Sequence, residues 1–161
     1  MTLALGLGAP LTASALVPDL IVSALGMAGG DQLGFAVDGV GDFDGDGYDD
    51  LAVGAPLSDN GGADRGQVLV FRGGPDADDL PDLVLSGEAA GDQFGCAVRG
   101  AGDVDGDGHP DLLVGAPYNG AAGVNAGRVY VFFGGPAADA VADLVLTGEA
   151  AGDRFGFSVD G

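Results

Sequence analysis

Short apolar segments alternate along the chain with clusters of glycine, proline and aspartate, a pattern typical of β-strands joined by turns. In residues 30–90 four segments predict strands, namely Leu33–Val37, Asp50–Val53, Gln67–Phe71 and Leu83–Leu85. Residues 91–151 predict four more at corresponding positions, namely Phe94–Val98, Asp111–Val114, Arg128–Phe133 and Leu144–Leu146. No segment has the apolar spacing of a long amphipathic helix. The pattern therefore predicts an all-β protein.

The strand pattern recurs because the sequence itself repeats with a period of 61 residues. Residues 30–90 align without a gap to residues 91–151, and 37 of the 61 aligned positions are identical. A third copy follows, so residues 152–161 are predicted to form the first strand of a further repeat. Residues 1–29 resemble the later strands of an earlier, partial repeat, because they contain the Gly-Ala-Pro and Pro-Asp-Leu sequences of the complete repeats.

Four short strands with apolar residues on both faces fit one blade of a β-propeller, because blades stack face to face and bury both sides of each sheet. A β-sandwich or a β-solenoid built from the same strands is the alternative, although 61 residues exceed one coil of a solenoid. The sequence therefore predicts propeller blades of four antiparallel strands. So few repeats cannot close a ring, so we expect either a partial ring or a homo-oligomer that completes one.

The charge balance excludes several classes of partner. The chain carries 25 aspartate and glutamate residues against 5 arginines, for a formal net charge of −20. A nucleic acid or an anionic membrane surface would need a basic face, so neither is expected as a partner. The apolar segment Leu3–Leu25 is interrupted by glycine, proline and aspartate, so we expect no membrane insertion. The excess of carboxylates makes a cation the expected ligand.

Two acidic loops occupy the same place in the two complete repeats and follow one spacing. Counted from Asp42 and from Asp103, aspartate falls at positions 1, 3, 5 and 9, and glycine at position 6. This spacing is typical of loops that surround a hard cation with oxygen ligands, position 7 giving its backbone carbonyl. A flexible cage of oxygens suits Ca²⁺ better than Mg²⁺. Solvated Asp-Gly turns are the alternative, which the repetition of the spacing disfavours.

An EF-hand shares part of this spacing but needs a bidentate glutamate at position 12. Val53 and Val114 stand at that position, and Gly-Ala-Pro follows each of them in place of a helix. We therefore expect each loop to join the first and second strands of its repeat. Asp50 and Asp111 would then supply the last ligand at the start of the second strand.

Three sequence features in a fixed order carry a resemblance to a known family. Phe94-Gly95, the acidic loop at 103–111 and Gly115-Ala116-Pro117 resemble the FG-GAP repeat of the integrin α-subunit head. The first complete repeat has Leu33-Gly34 in place of Phe-Gly. The resemblance implies a calcium-binding β-propeller with one Ca²⁺ in each loop. The implied ligands are the carboxylates of Asp42, Asp44, Asp46, Asp50, Asp103, Asp105, Asp107 and Asp111 and the backbone carbonyls of Tyr48 and His109.

The expected function is that of an adhesion or protein-recognition scaffold, with calcium and either a protein partner or a second copy of the chain as ligands. We expect no enzyme, because the one histidine, His109, has no acid–base partner and the one cysteine, Cys96, replaces a phenylalanine of the other copies. Extracellular calcium modules bind with dissociation constants of about 10⁻⁴–10⁻³ M, which predicts a secreted or cell-surface location.

Two other functions are compatible with the same fold. A carbohydrate-binding propeller needs aromatic platforms between its blades, and the chain has no tryptophan and only three tyrosines. An accessory region of a larger secreted hydrolase is the second alternative. The loops at 57–66 and 118–127 differ most between the repeats, so they are candidates for partner contacts.

Overall fold

The computed structural model describes residues 29–161, so the predicted partial repeat at residues 1–29 lies outside the described range except for its last residue. None of the described residues is in a helix. The strands are β1 (Ala36–Gly41), β2 (Asp50–Ala55), β3 (Gln67–Phe71), β4 (Leu83–Ser86), β5 (Ala97–Gly102), β6 (Asp111–Ala116), β7 (Arg128–Phe132) and β8 (Leu144–Thr147). The prediction of an all-β protein is confirmed.

The eight strands form two four-stranded antiparallel sheets, and each strand pairs with the next along the chain. Blade one contains β1–β4 and blade two contains β5–β8. The register is the same in both, since Val37 is opposite Val53 in blade one and Val98 is opposite Val114 in blade two. This arrangement agrees with the predicted propeller blades. The two sheets are not closed into a ring.

The first strand of each blade begins later than the sequence predicted, at Ala36 instead of Leu33 and at Ala97 instead of Phe94. The preceding residues form a turn, in which Gly34 has a φ of 90° and its N–H donates to the Gly54 carbonyl at 2.9 Å. Such a φ is incompatible with an extended strand, so the apolar residue before the glycine belongs to the turn. β2 and β6 instead extend two residues further than predicted.

Residues 152–161 approach blade two in the way that residues 91–100 approach blade one. The Phe155 N–H donates to the Ala126 carbonyl at 2.9 Å, and the Phe94 N–H donates to the Arg65 carbonyl at 3.2 Å. Residues 152–161 form no strand, and their one isolated bridge in the described part of the chain joins Phe155 to Gly127. Both first strands pair with the second strand of their own blade, and residues 152–161 pair with none of the described strands.

The hydrophobic core lies between the two blades. Alternate side chains of a strand point to opposite faces, so Val68 and Val70 face blade two while Leu69 packs on the other side. Blade one contributes Val40, Phe43, Ala52, Val68, Val70 and Leu85 to the core. Blade two contributes Phe94, Val98, Leu112, Val114, Ala116, Tyr130 and Phe132. The Phe94 ring packs edge-on against Tyr130, with ring centroids 5.3 Å apart.

The Phe-Gly and Gly-Ala-Pro features meet where one blade passes to the next. A Cβ on Gly54 would lie 2.2 Å from the carbonyl oxygen of Gly95, and a Cβ on Gly115 would lie 1.9 Å from that of Gly156. Only a residue without a side chain allows the two backbones to approach so closely. The backbone of each Phe-Gly motif therefore requires a glycine at the first position of the Gly-Ala-Pro motif that it contacts.

We expect Gly54→Ala to destabilise the chain by about 1–3 kcal/mol, because the added methyl group collides with backbone that cannot move independently. Gly29→Ala is the matched control, since a Cβ there meets no atom within 4 Å. Urea unfolding followed by circular dichroism measures both. Equal unfolding midpoints for the two variants would show that the contact between the motifs does not limit stability.

Candidate metal centres

Each acidic loop is the hairpin connection between the first and second strands of its blade, as the sequence predicted. The loops turn through glycines in the left-handed region, with φ of 80° at Gly45 and 97° at Gly47. Aspartate side chains support these turns, since the Asp46 N–H donates to Asp44 Oδ1 at 3.0 Å. The aspartate side chains thus hold the backbone of the loop in its turns.

The first loop brings together Asp42, Asp44 and Asp50, each of which offers a carboxylate oxygen within 4.8 Å of the others. Asp50 is buried at the first position of β2. Its Oδ2 accepts the Phe43 N–H at 3.0 Å and its Oδ1 accepts the Gly73 N–H at 2.8 Å. Burial raises the pKa of Asp50, while these backbone hydrogen bonds oppose the rise. One buried carboxylate thus joins the loop to the end of β3.

The second loop repeats this arrangement with Asp103, Asp105 and Asp111, whose carboxylate oxygens also lie within 4.8 Å of one another. Asp111 is fully buried at the start of β6. Its Oδ2 accepts the Val104 N–H at 2.6 Å, and its Oδ1 accepts the Gly134 N–H at 2.9 Å. The three carboxylates of the second loop therefore occupy the same positions in their blade as those of the first loop.

The aspartates of the second loop also act on one another. Desolvation raises the pKa of Asp105, a backbone hydrogen bond from Asp107 lowers it, and the neighbouring carboxylates of Asp107, Asp111 and Asp103 raise it further. The negative charge of Asp105 is thus less favourable here than in a free aspartate. A divalent ion would relieve this repulsion.

The carboxylates at position 5 of the loops lie outside these groups of three. Asp46 Oδ1 accepts the Tyr48 N–H at 2.9 Å, and Asp107 Oδ1 accepts the His109 N–H at 2.8 Å. These contacts orient the residues whose carbonyls were predicted to bind the ion. Metal coordination by all four residues stays a prediction.

The donor chemistry of the loops fits a hard divalent cation. Every grouped ligand is a carboxylate oxygen, the donor type that Ca²⁺ and Mg²⁺ prefer. In addition, Asp42 Oδ1 is buried and has no hydrogen-bond partner. A buried oxygen without a partner is costly, and coordination to a cation would satisfy it.

Blade two covers one side of the first loop, whereas no described residue covers the corresponding side of the second loop. Phe43 is 2% exposed and its carbonyl accepts the Gly135 N–H at 2.7 Å, while Val104 at the same position of the second loop is 51% exposed. Arg72 also contacts the first loop, its Nε lying 2.7 Å from Asp44 Oδ2. Arg72 was not expected at the site from the sequence, although Phe133 at the corresponding position marks it as a difference between the repeats.

Two segments of the chain match a known family of repeats. The profile of the FG-GAP repeat family matches residues 33–71 and 100–132, and each matched segment contains one acidic loop. These segments are FG-GAP repeats. Each FG-GAP repeat of the chain belongs to one four-stranded sheet, which identifies the sheets as β-propeller blades.

The FG-GAP repeats are similar to integrin α subunits. The chain is 42% identical to integrin alpha-5 of Xenopus laevis over 104 residues, which are 62% of the chain and 10% of that protein. It is 40% identical to integrin alpha-PS2 of Drosophila melanogaster over 115 residues, or 66% of the chain and 8% of that protein. It is 39% identical to integrin alpha-IIb of Mus musculus over 134 residues, or 76% of the chain and 12% of that protein.

The chain therefore spans about a tenth of the length of these relatives. Across residues 29–161, no helix is long and apolar enough to cross a lipid bilayer.

We expect Asp111→Asn to destabilise the protein by about 1–3 kcal/mol even in a chelator, because the amide NH₂ cannot accept a backbone N–H. Asp76→Asn, at an exposed position of blade one, removes the same charge and serves as the control. Urea unfolding in EDTA measures the difference between the variants. Were Asp111→Asn as stable as Asp76→Asn, the buried carboxylate would have no structural role apart from metal binding.

Proposed function

We propose that this chain is a calcium-binding, non-enzymatic propeller segment that serves as an extracellular adhesion or protein-recognition scaffold. The observation that carries the proposal is the pair of equivalent three-carboxylate groups, one at the start of each second strand. The chain's similarity to integrin α subunits supports the role in adhesion and the location outside the cell.

Calcium would act on structure in this proposal. In each loop the ion would bind the loop carboxylates together with the buried aspartate at the strand start, which is Asp50 in one blade and Asp111 in the other. Because those aspartates also accept N–H groups at the ends of β3 and β7, the ion would fix the loop against its own sheet. The full ligand set that we propose includes Asp46, Asp107 and the carbonyls of Tyr48 and His109.

Calcium titration calorimetry tests this proposal, with two ions per chain as the expected result. We expect Asp44→Ala and Asp105→Ala each to remove one site, and the double variant to bind none. EDTA should lower the melting temperature of the wild-type chain, because a ligand that binds only the folded state stabilises it. Asp76→Ala is the control for loss of charge. An absence of binding heat together with an EDTA-independent melting temperature would refute the proposal.

Exposed apolar residues on the outer faces of the two blades support a further proposal about the partner. Leu146 on blade two is 51% exposed, whereas Leu85 at the same position of blade one is fully buried by the neighbouring blade. Leu51 on blade one is exposed, whereas its counterpart Leu112 is buried. Each outer face thus carries apolar positions that a neighbouring blade covers elsewhere in the chain.

We propose that a second copy of the chain associates through these apolar faces. Residues 152–161 lie against blade two at β5, since a Cβ on Gly161 would lie 2.1 Å from the Gly100 carbonyl oxygen. Leu144 and Leu146, on the outermost strand, remain exposed and available for contact.

Sedimentation velocity over a range of protein concentrations should therefore show association that Leu146→Asp weakens. Burying the introduced carboxylate in an apolar contact would be unfavourable. Leu80→Asp, at a position that is also exposed but lies outside the sheets and outside the two variable loops, should leave the association unchanged. A folded wild-type chain that stays monomeric at every concentration would exclude self-association.

A further inference from the structure

The two acidic loops are equivalent in backbone but not in the side chain that faces them from the end of the third strand. The Arg72 N–H donates to Asp82 Oδ2 at 2.9 Å, and the Phe133 N–H donates to Asp143 Oδ2 at 2.8 Å, so the backbone is held in the same way in both blades. Arg72 then extends to the first loop, and Phe133 places a neutral ring beside the second.

The guanidinium of Arg72 binds one of the grouped carboxylates. Its Nε lies 2.7 Å from Asp44 Oδ2, and the Asp44 side chain is only 11% exposed. The guanidinium of arginine is always charged in proteins, so this positive charge is permanent. The Arg72 side chain is itself 55% exposed, so solvent and salt screen the pair in part. The first loop therefore contains a positive charge before any metal ion arrives.

We propose that Arg72 is a built-in competitor for the cation in the first loop and lowers the calcium affinity of that loop. This inference rests on the proposed calcium function. A bound Ca²⁺ would share Asp44 with the guanidinium and would be repelled by it across a few ångströms. The second loop has Phe133 in this position and therefore no cationic side chain that competes with the ion. Because nothing else at this position neutralises its carboxylates, the stability of the second loop depends more strongly on calcium.

Two neighbouring features determine how the effect should be measured. Asp82 also attracts the guanidinium, with its Oδ1 4.0 Å from Arg72 Nε, and so reduces the charge that the ion would meet. Blade two also covers the first loop at Phe43, whose carbonyl accepts the Gly135 N–H, and this contact does not involve Arg72. Comparing one loop with the other would mix these effects. The informative comparison is the same loop with and without the arginine.

The experiment exchanges the two residues while the other loop is disabled. In an Asp105→Ala background, which leaves the first loop to bind, we expect Arg72→Phe and Arg72→Gln to tighten calcium binding about tenfold. In an Asp44→Ala background, Phe133→Arg should weaken binding to the second loop by a similar factor. Arg99→Gln is the control, because it removes the same charge where the arginine contacts Asp38 and Asp160.

Isothermal titration calorimetry gives the dissociation constants at low and at high ionic strength. The difference in calcium affinity between Arg72→Gln and its parent should become smaller as salt is added, because screening weakens the repulsion between the arginine and the ion. Urea unfolding in EDTA is the second readout and does not require bound metal. There Arg72→Gln should lower the unfolding midpoint relative to Arg99→Gln, since the empty loop loses the cation paired with Asp44.

The possible outcomes separate this inference from the function on which it rests. Calcium binding that is equal in the parent, Arg72→Gln and Arg72→Phe would overturn the competitor role and leave the calcium function standing. An equal increase in calcium affinity in Arg72→Gln and Arg99→Gln would also overturn it, because the change in net charge alone would then explain the effect. An absence of calcium binding in both backgrounds would overturn the proposed function and the inference together.

Discussion

The structure depends on a buried carboxylate at the first residue of the second strand in each blade. Asp50 and Asp111 accept N–H groups from their own acidic loop and from the glycine that follows the third strand. A single side chain thereby joins three segments of one sheet. Its oxygens also belong to the three-carboxylate group, so the same residue connects the fold with the proposed cation chemistry. Binding at the loop and stability of the blade are therefore linked.

Contacts between the blades extend this linkage. Phe43, inside the first acidic loop, is buried against blade two, and its carbonyl binds the Gly135 N–H. The glycines of the Phe-Gly and Gly-Ala-Pro motifs approach each other at the same junction. A cation that orders the first loop would thus also act on the surface between the blades. The second loop has no neighbour over Val104 in the described residues, so its order rests on its own sheet.

Much of this arrangement could be predicted from the sequence because each strand, turn and loop pattern occurs in both complete repeats. The four strands per blade and the hairpin position of the loops follow from turn residues and the 61-residue period. The predicted starts of the first strands were wrong. The positive φ of Gly34 and of Gly95 forms a turn there, although the apolar residue before each glycine favours a strand. Arg72 was missed because folding, not sequence proximity, brings it to Asp44.

In our proposal the grouped carboxylates hold a divalent cation against each sheet. A crystal structure of the chain grown in millimolar Ca²⁺, with anomalous diffraction data, would show whether an ion is bound there. We expect one anomalous peak among Asp42, Asp44 and Asp50 and another among Asp103, Asp105 and Asp111. Well-ordered loops without a peak at either position would contradict it.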